Sequence, residues 1–196
     1  MAPRITVVGC GYLGATHAAC MAELGYEVLG IDIDEARVAA LQEARPPFYE
    51  PGLEPMLRKH VDSGRLRFTT SYQEIADFGD VHFLCVSTPQ RDGDLAADVS
   101  YLDAAVESLA PLLERPALVV GKSTVPVGTA ERVSARIADI APVGADVSEA
   151  VHLAAVAHHE RRGGLAEVFH LEAHALAGLR QRARGADQPF FASHSR

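Results

Sequence analysis

Apolar residues in this chain come in short runs bounded by glycine, proline or charge. "RITVV" (4–8), "EVLGI" (27–31), "VHFLCV" (81–86) and "ALVVG" (117–121) each predict a buried strand, and "LRFT" (66–69) a weaker one. Between them the spacing lengthens to the helical period. Helices are predicted over 11–24, 35–43, a segment ending near Ser63, 71–76, 101–113 and 129–137. Prolines and glycine mark "RPPFYEPGLEP" (45–55) as loop, and "STPQRDGDLAADVS" (87–100) reads the same way. Strands that alternate with helices at this spacing must pair in parallel, because each crossover returns to the same end of the sheet. Their nearly unbroken apolar character fits a sheet covered on both faces. The predicted fold is α/β: a Rossmann-like, doubly wound parallel sheet.

The pattern changes near Ser148. Six of the nine histidines fall in the last 49 residues, strand-like runs stop, and Ala, Arg and His dominate. Two domains are therefore expected: a dinucleotide-binding domain over 1–147 and an atypical, helical or disordered tail over 148–196. Within the tail, His170 and His174 stand four apart and would share one helix face, with His158, His159 and Glu160 upstream. Incidental histidines on a solvated or partly packed helix are the favoured explanation of this spacing, and no metal is assigned.

Composition narrows the classes. The 196 residues are 48% hydrophobic, enough for a packed core, and the net charge is -8 with both signs mixed. With no Lys/Arg block, nucleic acid is not an expected partner. No run reaches the ~20 apolar residues of a membrane span, and no signal peptide is read at the N-terminus. Cys10, Cys20 and Cys85 form neither a metal-like spacing nor an even disulfide set. A reducing, cytoplasmic setting is expected.

The first candidate chemistry sits where the first strand hands over to a helix. Gly9-Cys10-Gly11-Tyr12-Leu13-Gly14 is a GxGxxG run. Gly9 permits the turn, Gly11 lets a diphosphate approach the main chain, and Gly14 allows close helix packing. The helix N-terminus then faces the anion with free N–H groups. Asp32 ends the second strand 18 residues after Gly14, where a carboxylate accepts from adenosine ribose hydroxyls and repels a 2′-phosphate. NAD is thus preferred to NADP. Asp34 is the rival carboxylate. The competing explanation is a glycine turn beside a helix-capping aspartate.

Four stretches carry a family resemblance: "VVGCGYLG" (7–14), "PPFYEPGLEPML" (46–57), "CVSTPQ" (85–90) and "GKSTVPVGTAE" (121–131). In their order and spacing the chain resembles the nucleotide-sugar dehydrogenases, the UDP-glucose 6-dehydrogenases and their GDP-mannose relatives. The resemblance covers about residues 4–147. It implies NAD-dependent oxidation of the C6 alcohol of UDP-glucose to UDP-glucuronate, with two NAD consumed per sugar. It implies cofactor-binding roles for Gly9, Gly11, Tyr12, Leu13 and Gly14. It matches Asp32 to the ribose ligand and Arg37 to a basic residue over the adenosine side. Val86, Thr88 and Pro89 match the turn passing the nicotinamide ribose. Ser123 and Thr124 match the "KST" turn, whose threonine, here Thr124, helps hold a catalytic water. Taken singly, these Ser, Thr and Pro residues are also ordinary turn formers.

The resemblance stops before the remaining chemistry. The family brings a general acid/base glutamate in a segment like "NPEFLREG", then a lysine and asparagine at the oxyanion, then a nucleophilic cysteine. After Val147 this sequence has no Asn-Pro-Glu, no lysine and no cysteine. The three earlier cysteines read as small buried hydrophobes. A UDP-sugar is the substrate the family implies. Yet the expected behaviour of these 196 residues is NAD binding without turnover, as a truncated, frame-shifted or fused product would show. A shorter hydroxyacid dehydrogenase of related fold is the other enzyme class considered, and "FYEPGLE" argues against it. Family members associate through a central helix outside the match, which leaves homo-oligomerisation open.

Overall fold

The computed structural model describes residues 2–91, 93 and 96–142. The tail assigned to 148–196, with its His170/His174 pair, lies outside the described residues. Five strands alternate with six helices. In chain order they are β1 (Ile5–Val8), α1 (Tyr12–Glu23), β2 (Val28–Ile31), α2 (Glu35–Gln42), α3 (Leu53–Asp62), β3 (Leu66–Thr69), α4 (Tyr72–Phe78), β4 (Val81–Leu84), α5 (Ser100–Leu109), β5 (Leu118–Gly121) and α6 (Thr129–Ile140). The five strands form one sheet of order β3-β2-β1-β4-β5, every pair parallel. This is the Rossmann-like arrangement expected from the sequence.

Both faces are covered, which is why the strands read as continuous apolar runs. Alternate residues point to opposite layers. Val8, Leu29, Ile31, Leu84 and Val119 pack with Ile75 of α4, Leu102, Val106 and Leu109 of α5, and Val133 and Ile137 of α6. On the other face α1 lies against β1 and β2, and His17 meets Phe83 of β4 edge-on, ring centroids 4.4 Å apart. Among the described residues, Ile5, Met21, Leu57, Ile75 and Leu113 rank with the largest fully buried side chains.

Helix boundaries follow local chemistry. Asp34 caps α2 by accepting from Arg37 N–H at 3.1 Å, and Ser71 caps α4 by accepting from Glu74 N–H at 3.2 Å. The helix expected over 101–113 is cut at Leu109. Pro111 removes an N–H, and Ala110–Leu112 tighten into a 3-10 turn. Two helices start from glycines with left-handed backbone. In "EPGL", Pro51 and Gly52 (φ 85°, ψ -10°) form the centre of a type II turn, closed by Leu53 N–H to the Glu50 carbonyl at 3.1 Å. In "PVGT", Gly128 (φ 87°) follows Val127, and Thr129 N–H reaches the Pro126 carbonyl at 3.2 Å.

Candidate cofactor site

Strand order reverses between β1 and β4, so the connections leaving their carboxyl ends diverge and open a crevice. Its volume is about 390 Å³. The walls come from Gly9 and Gly11 after β1, Asp32 and Arg37 after β2, and Val86, Ser87 and Pro89 after β4.

The glycine turn is fixed by contact. Gly9 has φ 90°, and a Cβ there would stand 3.0 Å from the Val86 backbone. At Gly14 a Cβ would lie 1.8 Å from the Gly9 carbonyl oxygen. The sequence reading gave Gly14 to helix–strand packing; the atom it actually clears is the carbonyl of the turn itself. Gly11 meets nothing within 4 Å, so that side of the turn is open. Gly11 also supplies no side-chain cap to α1, whose first turn holds no acidic residue. In α2, α3, α4 and α6 an acidic residue occupies the first turn. The start of α1 is thus left for an external anion. Tyr12 and Leu13, the first two residues of the helix, are exposed there.

Asp32 is 6% exposed and turned toward the glycine turn. Its Oδ2 accepts from the Cys10 N–H at 2.8 Å, which ties β2 to the loop. Its Oδ1 accepts from the Asp34 N–H at 3.0 Å. Arg37 Nη1 donates to both oxygens, at 3.0 and 2.9 Å. Asp34, the rival carboxylate, is spent as the α2 cap. Arg37 therefore stands beside Asp32 and occupies both of its carboxylate oxygens.

The turns after β4 and β5 interlock; Val86 and Pro89 line the crevice, while Thr88, Ser123 and Thr124 are not on its wall. Ser123 Oγ donates to the Val86 carbonyl at 2.6 Å, and Thr88 Oγ1 donates to the Thr124 carbonyl at 2.8 Å. Each hydroxyl crosses to the other turn. Ser123 and Thr88 have thus used their single donor and keep only acceptor capacity toward a ligand. Thr124 is exposed and Pro89 lies on the crevice wall. Of the cysteines, Cys85 lies on the crevice wall, and the Cys10 side chain sits beneath the glycine turn. Cys10 is completely buried, and burial, together with the Asp32 charge, pushes its thiol well up.

Among the wall residues that the sequence did not mark are Tyr72 on α4 and Tyr101, Ala104, Ala105 and Ser108 on α5. They extend the crevice beyond Asp32 with a flat, half-apolar wall. Burial raises the Tyr72 phenol above its ordinary value. No motif marks them, because they come from two helices and meet only once the sheet has formed.

The comparison with known proteins gives this crevice its family. The sequence profile of the UDP-glucose/GDP-mannose dehydrogenase family, NAD binding domain, matches residues 3–158. The chain belongs to this family. Its UDP-glucose 6-dehydrogenase relative from Rhizobium meliloti is 41% identical over 145 residues, 74% of this chain and 33% of the relative. That from Pseudomonas aeruginosa is 47% identical over 130 residues, 66% of this chain and 28% of the relative. The chain spans about a third or less of the curated relatives it matches. Among solved structures, a UDP-glucose dehydrogenase from Pyrobaculum islandicum superposes with TM-score 0.76 and 33% identity, over 96% of this chain and 45% of that one. NAD is the cofactor of the family domain, and the crevice fits it: an open glycine turn, an uncapped helix start and a carboxylate at the tip of β2 lie along one wall.

Proposed function

We propose that this chain binds NAD across the carboxyl ends of β1, β2 and β4, and that it serves the oxidation of the C6 alcohol of a UDP-sugar, UDP-glucose first. The observation that carries this is the acid-free, uncapped start of α1 opening beside Gly11, with Asp32 22 residues further on from Cys10 tied back to the same turn. Gly11, Tyr12 and Leu13 would hold the diphosphate by main-chain N–H groups, and Gly9 and Gly14 shape the turn that presents them. Asp32 would accept from the adenosine ribose hydroxyls. Those hydroxyls compete with Arg37 for the same oxygens, so Arg37 shifts over the adenosine as the ribose enters. Val86, Thr88, Pro89 and Ser123 would border the nicotinamide ribose, with Thr88 and Ser123 as acceptors.

When bound, NAD supplies the hydride acceptor. The residues of this chain would bind and orient it, and Thr124, exposed in the turn after β5, has the donor and acceptors needed to orient a water. The second oxidation of such an alcohol needs a nucleophile or a hydrate to carry the aldehyde. Sequence beyond Val147 has no cysteine, and Cys10 is sealed. The 196 residues alone are therefore proposed to bind NAD without turning over UDP-glucose. The test pairs calorimetry with absorbance at the NADH band. NAD binding with no NADH formed from UDP-glucose is expected; sustained NADH production by the pure chain contradicts the second part, and absence of NAD binding contradicts the first.

A further inference from the structure

The "FYEPGLE" segment identifies the family in sequence, yet nothing above gives it work at the crevice. The structure places it against the glycine turn. Tyr12, the first residue of α1, is 61% exposed but not loose. Its ring lies against Phe48, centroids 4.5 Å apart and planes tilted by 44°. Its hydroxyl donates to Glu50 Oε2 at 2.5 Å. Glu50 is in turn the first residue of the type II turn that launches α3, so its position is set by Pro51 and by the left-handed Gly52. The chain runs from Gly52 into α3, whose Leu53 and Leu57 are buried. A turn that leads into core-packed α3 thus contacts the first residue of α1, next in sequence to Gly11 on the crevice wall.

We infer that Phe48 and Glu50 are positioning residues for the cofactor: they clamp the Tyr12 side chain and so hold the first turn of α1 in the orientation that receives a diphosphate. The inference rests on the assignment of NAD to the crevice. Three features support the clamp over an incidental surface contact. The hydrogen bond joins residues 38 apart in sequence, from the start of α1 and the loop before α3. The acceptor is a carboxylate oxygen, and the same ring also packs on Phe48, so two contacts hold one side chain. The phenol is correspondingly held above its ordinary value, first by the hydrogen bond to Glu50 and then by its charge. Ordering this turn before binding spares the ligand that cost. The clamp should therefore matter to ligands that carry the diphosphate and little to AMP, whose adenosine is held by Asp32 and the α4–α5 wall.

The full chain is titrated by calorimetry with NAD, ADP-ribose and AMP, using the wild type, Glu50→Ala, Glu50→Gln, Tyr12→Phe and Glu50→Ala/Tyr12→Phe. Glu50→Ala and Tyr12→Phe are each expected to weaken NAD and ADP-ribose about 3- to 10-fold, the double variant no further than either, and AMP by less than about 2-fold. Glu50→Gln keeps an acceptor oxygen and recovers most of the loss. An ultraviolet phenol titration, clean because the chain has no tryptophan, should show one of its five tyrosines moving down in Glu50→Gln and missing in Tyr12→Phe. Wild-type NAD affinity in Glu50→Ala overturns the clamp alone. So do equal losses for AMP and NAD, or losses that add in the double variant. A wild type that ignores NAD while its phenol titration still responds to Glu50→Gln overturns the cofactor assignment and the clamp's purpose together, leaving only a structural contact.

Discussion

At the scale of single residues, the proposed role of the Asp32–Arg37 pair in cofactor choice has a direct test. With Asp32 present, the guanidinium is bonded to both carboxylate oxygens and a 2′-phosphate meets negative charge. Asp32→Ser frees Arg37 to pair with that phosphate. NAD affinity is expected to fall by about tenfold or more while the NADP-to-NAD affinity ratio rises; competition titrations with both cofactors measure it. An unchanged ratio would remove Asp32 from the ribose site. The buried histidines govern acid stability instead. His82 is completely buried, its Nδ1 bonded to Thr6 Oγ1 at 2.7 Å, and burial, reinforced by the Arg115 charge and opposed by Asp80, lowers it from 6.5 to about 4. Burial also holds His17 well below its ordinary value. The unfolded chain binds these protons near pH 6.5 and the folded chain does not. Stability is therefore full above pH 6.5 and is lost as pH falls toward 4, by at most about 3 kcal/mol for His82. Urea midpoints across that window should decline, and a His82→Leu variant should decline less steeply. Of these residue-level facts, Asp32 was legible from its place at a strand tip. The Arg37 bonds were not, because they depend on rotamers set after α2 has formed.

Elements depend on a few backbone positions. Gly14→Ala places a methyl 1.8 Å from the Gly9 carbonyl, so α1 must move off the turn or the turn must open. Loss of several kcal/mol and of NAD binding is expected together. Gly52→Ala and Gly128→Ala meet no neighbour and cost only their left-handed backbone, about 1–2 kcal/mol each. Thermal unfolding of the three variants should rank Gly14→Ala far below the other two; equal midpoints would show that contact at Gly14 is not what makes glycine necessary. The strands were legible because each is an unbroken apolar run, a consequence of cover on both faces. Their ends were less so. The strand expected over 81–86 stops at Leu84, where the turn at Gly9 presses against Val86. The helix expected over 129–137 continues to Ile140, since nothing in "ADI" stops it before the chain extends at Ala141.

Over the whole molecule, parallel pairing in the order β3-β2-β1-β4-β5 brings four distant motifs to one end of one sheet. The glycine loop, "STPQ" and "KST" each follow a strand, so parallel pairing alone carries them to that end. The role of "FYEPGLE" was not legible in that way, because a loop between two helices carries no strand to locate it, and only the Tyr12–Glu50 bond shows where it lies. Among the described residues no helix is long and apolar enough to cross a membrane. The central claim concerns the start of α1, and amide NMR reads it directly. On titration of the full chain with NAD, the resonances of Gly11, Tyr12, Leu13 and Asp32 should shift first and furthest, with Thr88 and Ser123 following and the α3 amides still. Saturation with millimolar NAD that leaves Gly11, Tyr12 and Leu13 unmoved would contradict the account.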